Sequence, residues 1–381
     1  MGNVYAHVGQ TFEPVPYDVV VLGAGRMGSL AAHFLMLERP SLKLLLLDQG
    51  GLPNEEGATI LAPGIWTALD VPPGKRAQAD WTRRLLTGDL SPEDGGLGKA
   101  GQSDAPTLPR GMVELLENSV DGSVPSREVS GLPADLADLA ALPFARLDPL
   151  ALSYSAASLT TRAAQSAVRT GADLMLNVKA QPTQTGVKLS RLSVTNTHQV
   201  VVHETHLLEA GQVIVAAGAE GPHLAENALG SVTHHARAYR QLPRLNVDTS
   251  DTTPVLRAAN LTLRPYAGGL TLVPPVHHRD PHGYAPTGGR LSGVPVGLRR
   301  ETLEDVLRTM DVLPALGTAA LELGRSVSDV PGAWLSLPQG GWPLFEPLTE
   351  RHWLLLGGEK ADLVGPAVAR ELAKVVLESV K

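Results

Sequence analysis

Cysteine is absent from the 381 residues of this chain. Disulfide bonds, iron–sulfur clusters, thiolate zinc sites and cysteine-linked cofactors are therefore excluded, and no thiol can serve as a nucleophile. The chain also has no G-x-S-x-G sequence, which would mark a serine hydrolase, and no apolar run close to the roughly 18 residues of a membrane span. We therefore expect no membrane span, and the absence of cysteine agrees with a reducing compartment.

Basic residues are outnumbered, and aromatic residues make up only 4% of the chain. With 32 Lys and Arg against 39 Asp and Glu, the net charge is −7 and no long basic run occurs, so nucleic acid is not an expected partner. The first sixteen residues lack the basic start and apolar centre of a secretory signal. Since 43% of the residues are hydrophobic and 19% charged, the composition is globular, and we expect a cytoplasmic protein.

The first fifty residues indicate a strand, a glycine turn, a helix and a second strand. The apolar run 19–22 leads directly into Gly23-Ala24-Gly25-Arg26-Met27-Gly28. Gly23 permits the sharp turn, Gly25 lets the backbone approach a pyrophosphate, and Gly28 allows close helix–sheet packing. The helix N-terminus offers N–H groups to phosphates, and Asp48 ends the second strand, where it can accept from both hydroxyls of a ribose. The pattern predicts a dinucleotide-binding unit, and the carboxylate disfavours an NADP-type ligand.

Further segments follow this unit in order: 57–64 (GATILAPG), the strand 174–178, the strand 213–219, and Gly357-Gly358 with 365–367 (GPA). Together they resemble the D-amino acid oxidase, glycine oxidase and sarcosine oxidase superfamily of FAD flavoproteins. The resemblance implies that Thr59 contacts the pyrophosphate, that Gly64 passes beside the flavin ring and that the backbone of Val178 pairs with adenine. It implies non-covalent FAD and the following cofactor-binding residues: Gly23, Gly25, Arg26, Met27, Gly28, Asp48, Gln49, Ala58, Thr59, Gly64, Val178, Ala217, Gly218, Gly357, Gly358, Glu359 and Lys360.

The same resemblance implies hydride transfer to flavin N5 from a carbon that bears an amine or a hydroxyl, while the protein orients the substrate and excludes water. Relatives often bind the substrate carboxylate with the arginine of Gly-Leu-Arg-Pro, which precedes Asp-Gly-x-Pro. Here the arginine position falls on Trp334 or Leu335, and the aspartate position falls on Gln339. The usual carboxylate anchor is therefore missing. Either another cation replaces it, or the substrate is not an α-amino acid.

Cations in the presumed substrate region are the candidates for that replacement, because a guanidinium group matches a carboxylate bidentately. They are Arg237, Arg240, Arg264 and Arg290. Lys360 follows the second glycine pair, where relatives approach the N1/O2 edge of the flavin, and a cation there would stabilise the reduced ring. The predicted catalytic residues are Lys360, Tyr239, Arg264 and Tyr266, and the predicted substrate pocket consists of Trp334, Arg240, Arg290 and Gln339.

Two local patterns resemble other sites. Residues 95–100 resemble a phosphate-binding loop, but Ala100 stands where Ser or Thr must hold magnesium. His277-His278 and His282 lie in a segment with turn residues, and adjacent side chains of an extended segment point in opposite directions. We therefore expect no metal site.

The predicted fold class is α/β, with a three-layer FAD-binding dinucleotide fold and a mostly antiparallel β substrate (cap) domain. We assign 1–85, 146–235 and 332–381 to the FAD-binding domain and 86–145 with 236–331 to the cap, and within the cap we expect 88–133 to be mostly loops. The leading hypothesis is an FAD-dependent oxidoreductase of a small amine or amino acid, re-oxidised by oxygen or another acceptor. Oxidation of a 2-hydroxy acid or polyol phosphate remains an alternative. So does a flavin-binding subunit without turnover, and the sequence allows either a homo-oligomer or a partner subunit.

Overall fold

Strands outnumber helices in the part of the chain that the structure describes. The computed structural model describes residues 1–55, 57–98, 107–130, 138–197, 199–259, 261–266, 268–276, 299–314, 317, 320–322 and 332–380. The helices in this part are α1 Arg26–Glu38, α2 Arg76–Thr87, α3 Ala156–Thr170, α4 Gly221–Leu229, α5 Arg300–Met310 and α6 Ala361–Ser379. The strands are β1 Val4–Tyr5, β2 Tyr17–Leu22, β3 Leu44–Leu47, β4 Ile65–Trp66, β5 Leu108–Pro109, β6 Met112–Leu116, β7 Val124–Pro125, β8 Phe144–Asp148, β9 Leu152–Ser153, β10 Asp173–Met175, β11 Val178–Thr183, β12 Gly186–Val194, β13 Val200–Val215, β14 Ala236–Gln241, β15 Arg244–Asn246, β16 Val255–Ala258, β17 Leu261–Tyr266, β18 Gly269–Val273, β19 Ala320–Glu322, β20 Gly332–Leu337, β21 Leu344–Pro347 and β22 His352–Leu356.

The main sheet is parallel at its centre, in the order β1-β10-β3-β2-β13-β22. The long strand β13 has two roles. Its first part pairs antiparallel with β12, which in turn pairs with β11. Its last part lies parallel between β2 and β22, with Val213 opposite both Val20 and His352. One strand therefore carries the chain from an antiparallel three-stranded ribbon into the centre of the parallel sheet.

Side-chain alternation along β2 explains the three layers. Val19 and Val21 join the core that contains α1, α3 and α6, whereas Val20 and Leu22 join the core beneath the β11–β13 ribbon and α4. A strand buried on both faces must be apolar at every position, as this one is from 19 to 22. The result is the expected three-layer dinucleotide fold.

The second large sheet has the order β19-β15-β18-β17-β16-β6-β8-β7, and all of its described pairs are antiparallel except β6 with β16. One face packs on a separate apolar core that includes Val306 of α5. Two smaller units lie beside it: the antiparallel ribbon of β14 and β20, and the β4-β9-β5 group. The mostly antiparallel substrate region is thus confirmed in its sheet type.

The apolar spacing in the sequence predicts helices over 30–37, 75–87, 159–169, 301–313 and 364–380, and the structure confirms them with shifts at their ends. The helix after the glycine turn begins four residues earlier than predicted, at Arg26, and α6 begins three residues earlier, at Ala361. The expectation of loops over 88–133 is wrong for β6, which lies inside the second sheet between β16 and β8. The predicted strand 174–178 is interrupted, because Asn177 has a φ of 55° and a new strand starts at Val178.

The described segments contain no helix that has both the length and the apolar character needed to cross a bilayer. Over the same segments no group of three or more His, Asp or Glu side chains is arranged to hold a metal ion. The histidines at 277, 278 and 282 lie outside the described residues.

Candidate cofactor crevice and active site

The turn between β2 and α1 has no room for a side chain at two of its glycines. Gly23 has a φ of 107°, and a Cβ on it would lie 2.4 Å from the carbonyl oxygen of Ala216. A Cβ on Gly28 would lie 1.9 Å from the carbonyl oxygen of Gly23. Gly25 caps α1 without a side-chain hydrogen bond, and the first turn holds no acidic residue. The helix therefore presents a positive end that suits an anion.

The 57–64 loop lies across this turn. Thr59 Oγ1 accepts the N–H of Arg26 at 3.0 Å and is 3.3 Å from where a Cβ on Gly25 would be. At the far end of the loop, Gly64 has a φ of 62°, and a Cβ on it would lie 2.1 Å from the carbonyl oxygen of Tyr154. Ala58, in the same loop, is half-buried. Steric exclusion therefore requires glycine at position 64, and the hydrogen bond of Thr59 holds the loop against the start of α1.

Asp48 lies at the end of β3, beside the same turn, and is 7% exposed. Its Oδ2 accepts the N–H of Ala24 at 2.7 Å, and its Oδ1 accepts from the N–H of Gly50 and from Asn54 Nδ2, both at 2.9 Å. Burial raises the pKa of Asp48, and these hydrogen bonds oppose the shift. Val178 is adjacent, because its N–H donates to the carbonyl oxygen of Asp48 at 3.0 Å. The two residues carried over for the adenosine end are therefore neighbours.

The amino-terminal and carboxy-terminal glycine turns meet at Met27. A Cβ on Gly357 would lie 3.2 Å from Met27 Cγ, and one on Gly365 would lie 3.1 Å from Met27 Sδ. The end of β13 also borders the turn, since a Cβ on Gly23 would lie 3.1 Å from the Cα of Ala217. Segments from the two ends of the chain therefore meet at this turn, and we call the region that they border the candidate cofactor crevice.

A buried ionic network lies between these segments. Arg26 Nη1 donates to Asp362 Oδ1 and, at 3.0 Å, to the hydroxyl of Tyr154, which itself donates to Asp362 Oδ1 at 2.8 Å. Asp362 Oδ2 accepts the N–H groups of Gly64 at 2.9 Å and Ile65 at 3.4 Å. Burial disfavours the charge of Arg26, but Tyr154 and Asp362 outweigh it and raise the pKa of the guanidinium. Burial and the charge of Asp362 raise the pKa of the Tyr154 hydroxyl, although Arg26 opposes this.

Arg264 reaches this network from β17 of the second sheet. It donates from Nε to Ser153 Oγ and from Nη2 to the carbonyl oxygen of Tyr154, each at 2.9 Å. Its guanidinium carbon is 3.6 Å from where a Cβ on Gly64 would lie. Burial lowers the pKa of Arg264, and the charge of Asp362 opposes the shift. The structure thus brings this predicted residue to the 57–64 loop.

Arg240 lies on β14 and is 7% exposed. Its Nη2 donates to Glu359 Oε1 at 3.2 Å, and its buried Nε has no hydrogen-bond acceptor among the residues that the structure describes. Burial lowers the pKa of Arg240, and the carboxylates of Glu359 and Asp362 oppose the shift. A buried guanidinium with an unsatisfied N–H, next to the second glycine pair, is suited to hold an anion.

Tyr239 and Trp334 face the other side of the β14–β20 ribbon, because neighbouring side chains of a strand alternate. Their ring centroids are 5.3 Å apart, and within the described segments neither the buried Tyr239 hydroxyl nor the buried Trp334 Nε1 has a hydrogen-bond partner. The guanidinium carbon of Arg237 is 5.1 Å from the Trp334 ring centroid, and that of Arg299 is 5.5 Å from the Tyr239 ring centroid. Tyr239 and Arg240 therefore do not line one wall together.

The remaining predicted substrate-site residues are more dispersed. Lys360 Nζ lies 5.0 Å from the centroid of the Trp342 ring, so its ammonium group is engaged in a cation–π contact. Tyr266 ends β17, with Arg244 over its ring at 5.2 Å, and Gln339 is exposed. Arg290 lies outside the described residues. Among the predicted cofactor residues, Gln49 is exposed, and a Cβ on Gly218 would meet no heavy atom within 4 Å.

Two residues of the crevice, Tyr154 and Asp362, were not predicted from the sequence. Asp362 is the one charged residue in the otherwise apolar stretch 361–369, and that isolation is a signal for a buried carboxylate. A helix predicted over 364–380 leaves Asp362 in the preceding turn, whereas the structure places it in the first turn of α6. Tyr154 carries no comparable signal in its local sequence.

These features fit a bound dinucleotide. Side chains are excluded at the two turn glycines, the helix end above them is positive, and a buried carboxylate stands at the neighbouring strand end. Toward the second glycine pair lie Arg240, which is buried and has a spare Nε donor, and Arg264, which is half-buried. The residues present therefore suit the ribose and pyrophosphate of a dinucleotide, with cations beyond them.

Comparisons with known proteins agree with this geometry. A family model described as DAO, FAD dependent oxidoreductase, matches residues 18–375. No curated protein matches the chain. Glycine oxidase from Geobacillus kaustophilus has a similar structure, with a TM-score of 0.69, 16% identity and 95% of each chain covered. L-proline dehydrogenase from P. horikoshii has a TM-score of 0.69 and 16% identity, covering 97% of this chain and 95% of that one.

A third similar structure is dithionite-reduced L-alpha-glycerophosphate oxidase from Mycoplasma pneumoniae with FAD bound, at a TM-score of 0.66 and 12% identity, covering 96% of this chain and 95% of the other. At these identities the structural likenesses establish a common fold. The family model goes further, since residues 18–375 run from β2, the strand before the glycine turn, into α6, the last helix. This protein belongs to the DAO family of FAD-dependent oxidoreductases, and FAD is its cofactor.

Proposed function

We propose that this enzyme oxidises a small amine or amino acid that carries a carboxylate. The observation that carries the proposal is Arg240, a buried guanidinium beside the second glycine pair whose Nε finds no acceptor in the described part of the chain. A buried donor left unpaired costs free energy, and a ligand acceptor removes that cost. A substrate carboxylate meets this need with charge as well as geometry.

The charge balance around the crevice supports an anionic substrate. In the described part of the chain, the guanidinium groups of Arg26 and Arg240 are buried and that of Arg264 is half-buried, and the carboxylates that act on them are those of Asp362 and Glu359. Asp362 acts on all three arginines, and Glu359 adds a second negative charge at Arg240. An anion would complete the balance, since buried charges are normally paired.

The residues of this chain then have distinct tasks. Bound FAD supplies the hydride acceptor, flavin N5. Arg240 holds the substrate carboxylate and orients the carbon that is oxidised, while Arg264 braces the 57–64 loop through the carbonyl oxygen of Tyr154. The glycine turn and the first turn of α1 hold the pyrophosphate, and Asp48 holds the ribose. These assignments extend the predicted site and replace the missing arginine of the Gly-Leu-Arg-Pro motif with Arg240.

The proposal is tested by anaerobic reduction of the flavin in the purified holoprotein. The panel is a set of small amino acids with N-methyl counterparts, their decarboxylated amines, the matching 2-hydroxy acids and glycerol phosphate. We expect the flavin absorbance near 450 nm to bleach with a carboxylate-bearing amine and more slowly with its decarboxylated form. Bleaching only by a hydroxy acid or by glycerol phosphate would contradict the amine assignment. Bound FAD that nothing in the panel reduces would favour a flavin-binding subunit.

The electron acceptor is examined in the same experiment. After the flavin has been reduced, air or an artificial dye is admitted and the return of the oxidised spectrum is timed. Rapid return in air indicates an oxidase, whereas return only with the dye indicates a dehydrogenase.

A further inference from the structure

One buried carboxylate joins four separate segments of the chain. Asp362 accepts from the guanidinium of Arg26, from the Tyr154 hydroxyl at 2.8 Å, and from the backbone N–H groups of Gly64 and Ile65 at 2.9 and 3.4 Å. Its side chain is 6% exposed and that of Arg26 is 10% exposed. All of these donors serve the two oxygens of one side chain, so the relative positions of the four segments depend on it.

Three of those segments border the cofactor crevice directly. Arg26 belongs to the glycine turn, and its N–H is held by Thr59. Gly64 ends the loop that crosses that turn. Asp362 is in the first turn of α6, just after the second glycine pair. The fourth segment, at Tyr154, also accepts Arg264 from the second sheet.

Stability alone does not explain such a network. An apolar cluster of similar volume generally stabilises a fold as well as a buried ion pair does, because desolvation offsets the attraction of the charges. Unlike an apolar cluster, the ionic network fixes orientation, because each donor must point at a particular carboxylate oxygen. A crevice whose walls are fixed before binding loses less free energy in ordering them when the ligand arrives.

We propose that Asp362, Arg26 and Tyr154 are positioning residues that hold the crevice in its FAD-binding form before the cofactor binds, and that the charges of Arg26 and Asp362 act on the flavin in opposite directions. Gly64, which the family resemblance places beside the flavin ring, donates its N–H to Asp362 at 2.9 Å, so a bound ring would lie in the field of Asp362 and of its partner Arg26. A negative charge there would disfavour reduction of the ring, and a positive charge would favour it. The inference depends on FAD being the cofactor and not on the identity of the substrate.

Three variants test the proposal on apoprotein reconstituted with FAD: Asp362→Asn, Arg26→Met and Tyr154→Phe. The dissociation constant of FAD is measured by flavin fluorescence, the reduction potential by equilibration with a reference dye, and the folded state by thermal unfolding of the apoprotein. We expect the dissociation constant to rise by about tenfold or more in the first two variants and by a few-fold in Tyr154→Phe. The reduction potential should rise in Asp362→Asn and fall in Arg26→Met.

Arg191→Met is the matched control. Arg191 is equally buried and makes an ion pair with Glu204, but it ties down the carbonyl oxygens of His7 and Gln10 near the start of the chain. It should lower the unfolding temperature and leave FAD affinity and potential at the wild-type values.

Wild-type FAD affinity in Asp362→Asn, or potentials that move in the same direction in both charge variants, would overturn the proposal and leave the network a purely structural one. Should Asp362→Asn or Arg26→Met fail to fold, Tyr154→Phe decides alone, because it removes one hydroxyl at nearly constant volume. An unchanged FAD dissociation constant in that variant counts against the positioning role.

Discussion

Replacing Arg240 by methionine separates carboxylate binding from folding. Methionine keeps most of the length and apolar packing of the arginine stem and removes only the guanidinium group. The partner that is left behind, Glu359, has a side chain that is 36% exposed, so water can solvate its carboxylate. The fold should therefore tolerate the change, at a cost of about 1–2 kcal/mol in the free energy of unfolding.

The effect on a carboxylate-bearing substrate should be larger and selective. A hydrogen bond to a charged group contributes about 1.5–3 kcal/mol, which corresponds to roughly a 10- to 150-fold loss in kcat/KM. The assay is anaerobic stopped-flow reduction of the flavin over a range of substrate concentrations, run in parallel with an amino acid and its decarboxylated amine. The loss should appear with the amino acid and be nearly absent with the amine.

Arg237→Met is the control, since Arg237 lies on the same strand but on the face that packs against Trp334. It should alter both substrates alike, through packing. If Arg240→Met slows both substrates equally, or if the carboxylate-selective loss occurs in Arg237→Met instead, then Arg240 does not hold the carboxylate.

Three other perturbations have definite expected outcomes. Gly28→Ala would place a methyl group 1.9 Å from the carbonyl oxygen of Gly23, so the turn must deform. The purified variant should lose bound FAD and keep the far-ultraviolet circular dichroism spectrum of the wild type, and full FAD occupancy would contradict this reasoning. Burial lowers the pKa of His33, so its contribution to stability is present above the ordinary value of about 6.5 and is lost as the pH falls below it. The unfolding temperature should therefore drop more between about pH 7 and pH 5 in the wild type than in His33→Gln, and equal drops would refute the assignment. Trp342→Leu removes the ring whose centroid lies 5.0 Å from the ammonium group of Lys360 and 5.2 Å from that of Lys75. Chemical denaturation should show that the free energy of unfolding falls by about 1–2 kcal/mol. An unchanged denaturation midpoint would mean that these contacts are not stabilising.

The parts of the fold that follow from local periodicity could be predicted from the sequence. An uninterrupted apolar run at 19–22 predicts a strand covered on both faces, and the two resulting cores confirm it. Strand β6 shows where this reasoning ends. Its five residues lie between segments rich in turn-forming residues, and pairing with β16 and β8, far away in sequence, makes it a strand.

The glycines of the first turn could also be predicted from their spacing, although the atoms that exclude a side chain are only partly local: a Cβ on Gly28 would meet the carbonyl oxygen of Gly23, whereas one on Gly23 would meet that of Ala216. The first residue of α6 could not be predicted as well. The helix starts after Lys360, whose N–H donates to the carbonyl oxygen of Gly341, in the turn at 338–341, at 2.9 Å. That contact joins two turns and leaves no periodic signal in either one.

The ionic network marks the limit of sequence reasoning in this protein. Arg26 and Asp362 are separated by 336 positions, and Tyr154 lies 208 positions before Asp362. Hydrophobic periodicity states which positions are buried, but not which distant charge neutralises a buried one. A single charge at the start of an apolar helix nevertheless requires a partner, because buried charges are normally paired. Arg26 in the glycine turn and Asp362 in that helix therefore each predict a buried counter-charge, and the convergence of the two glycine turns on Met27 supplies the geometry that makes them partners.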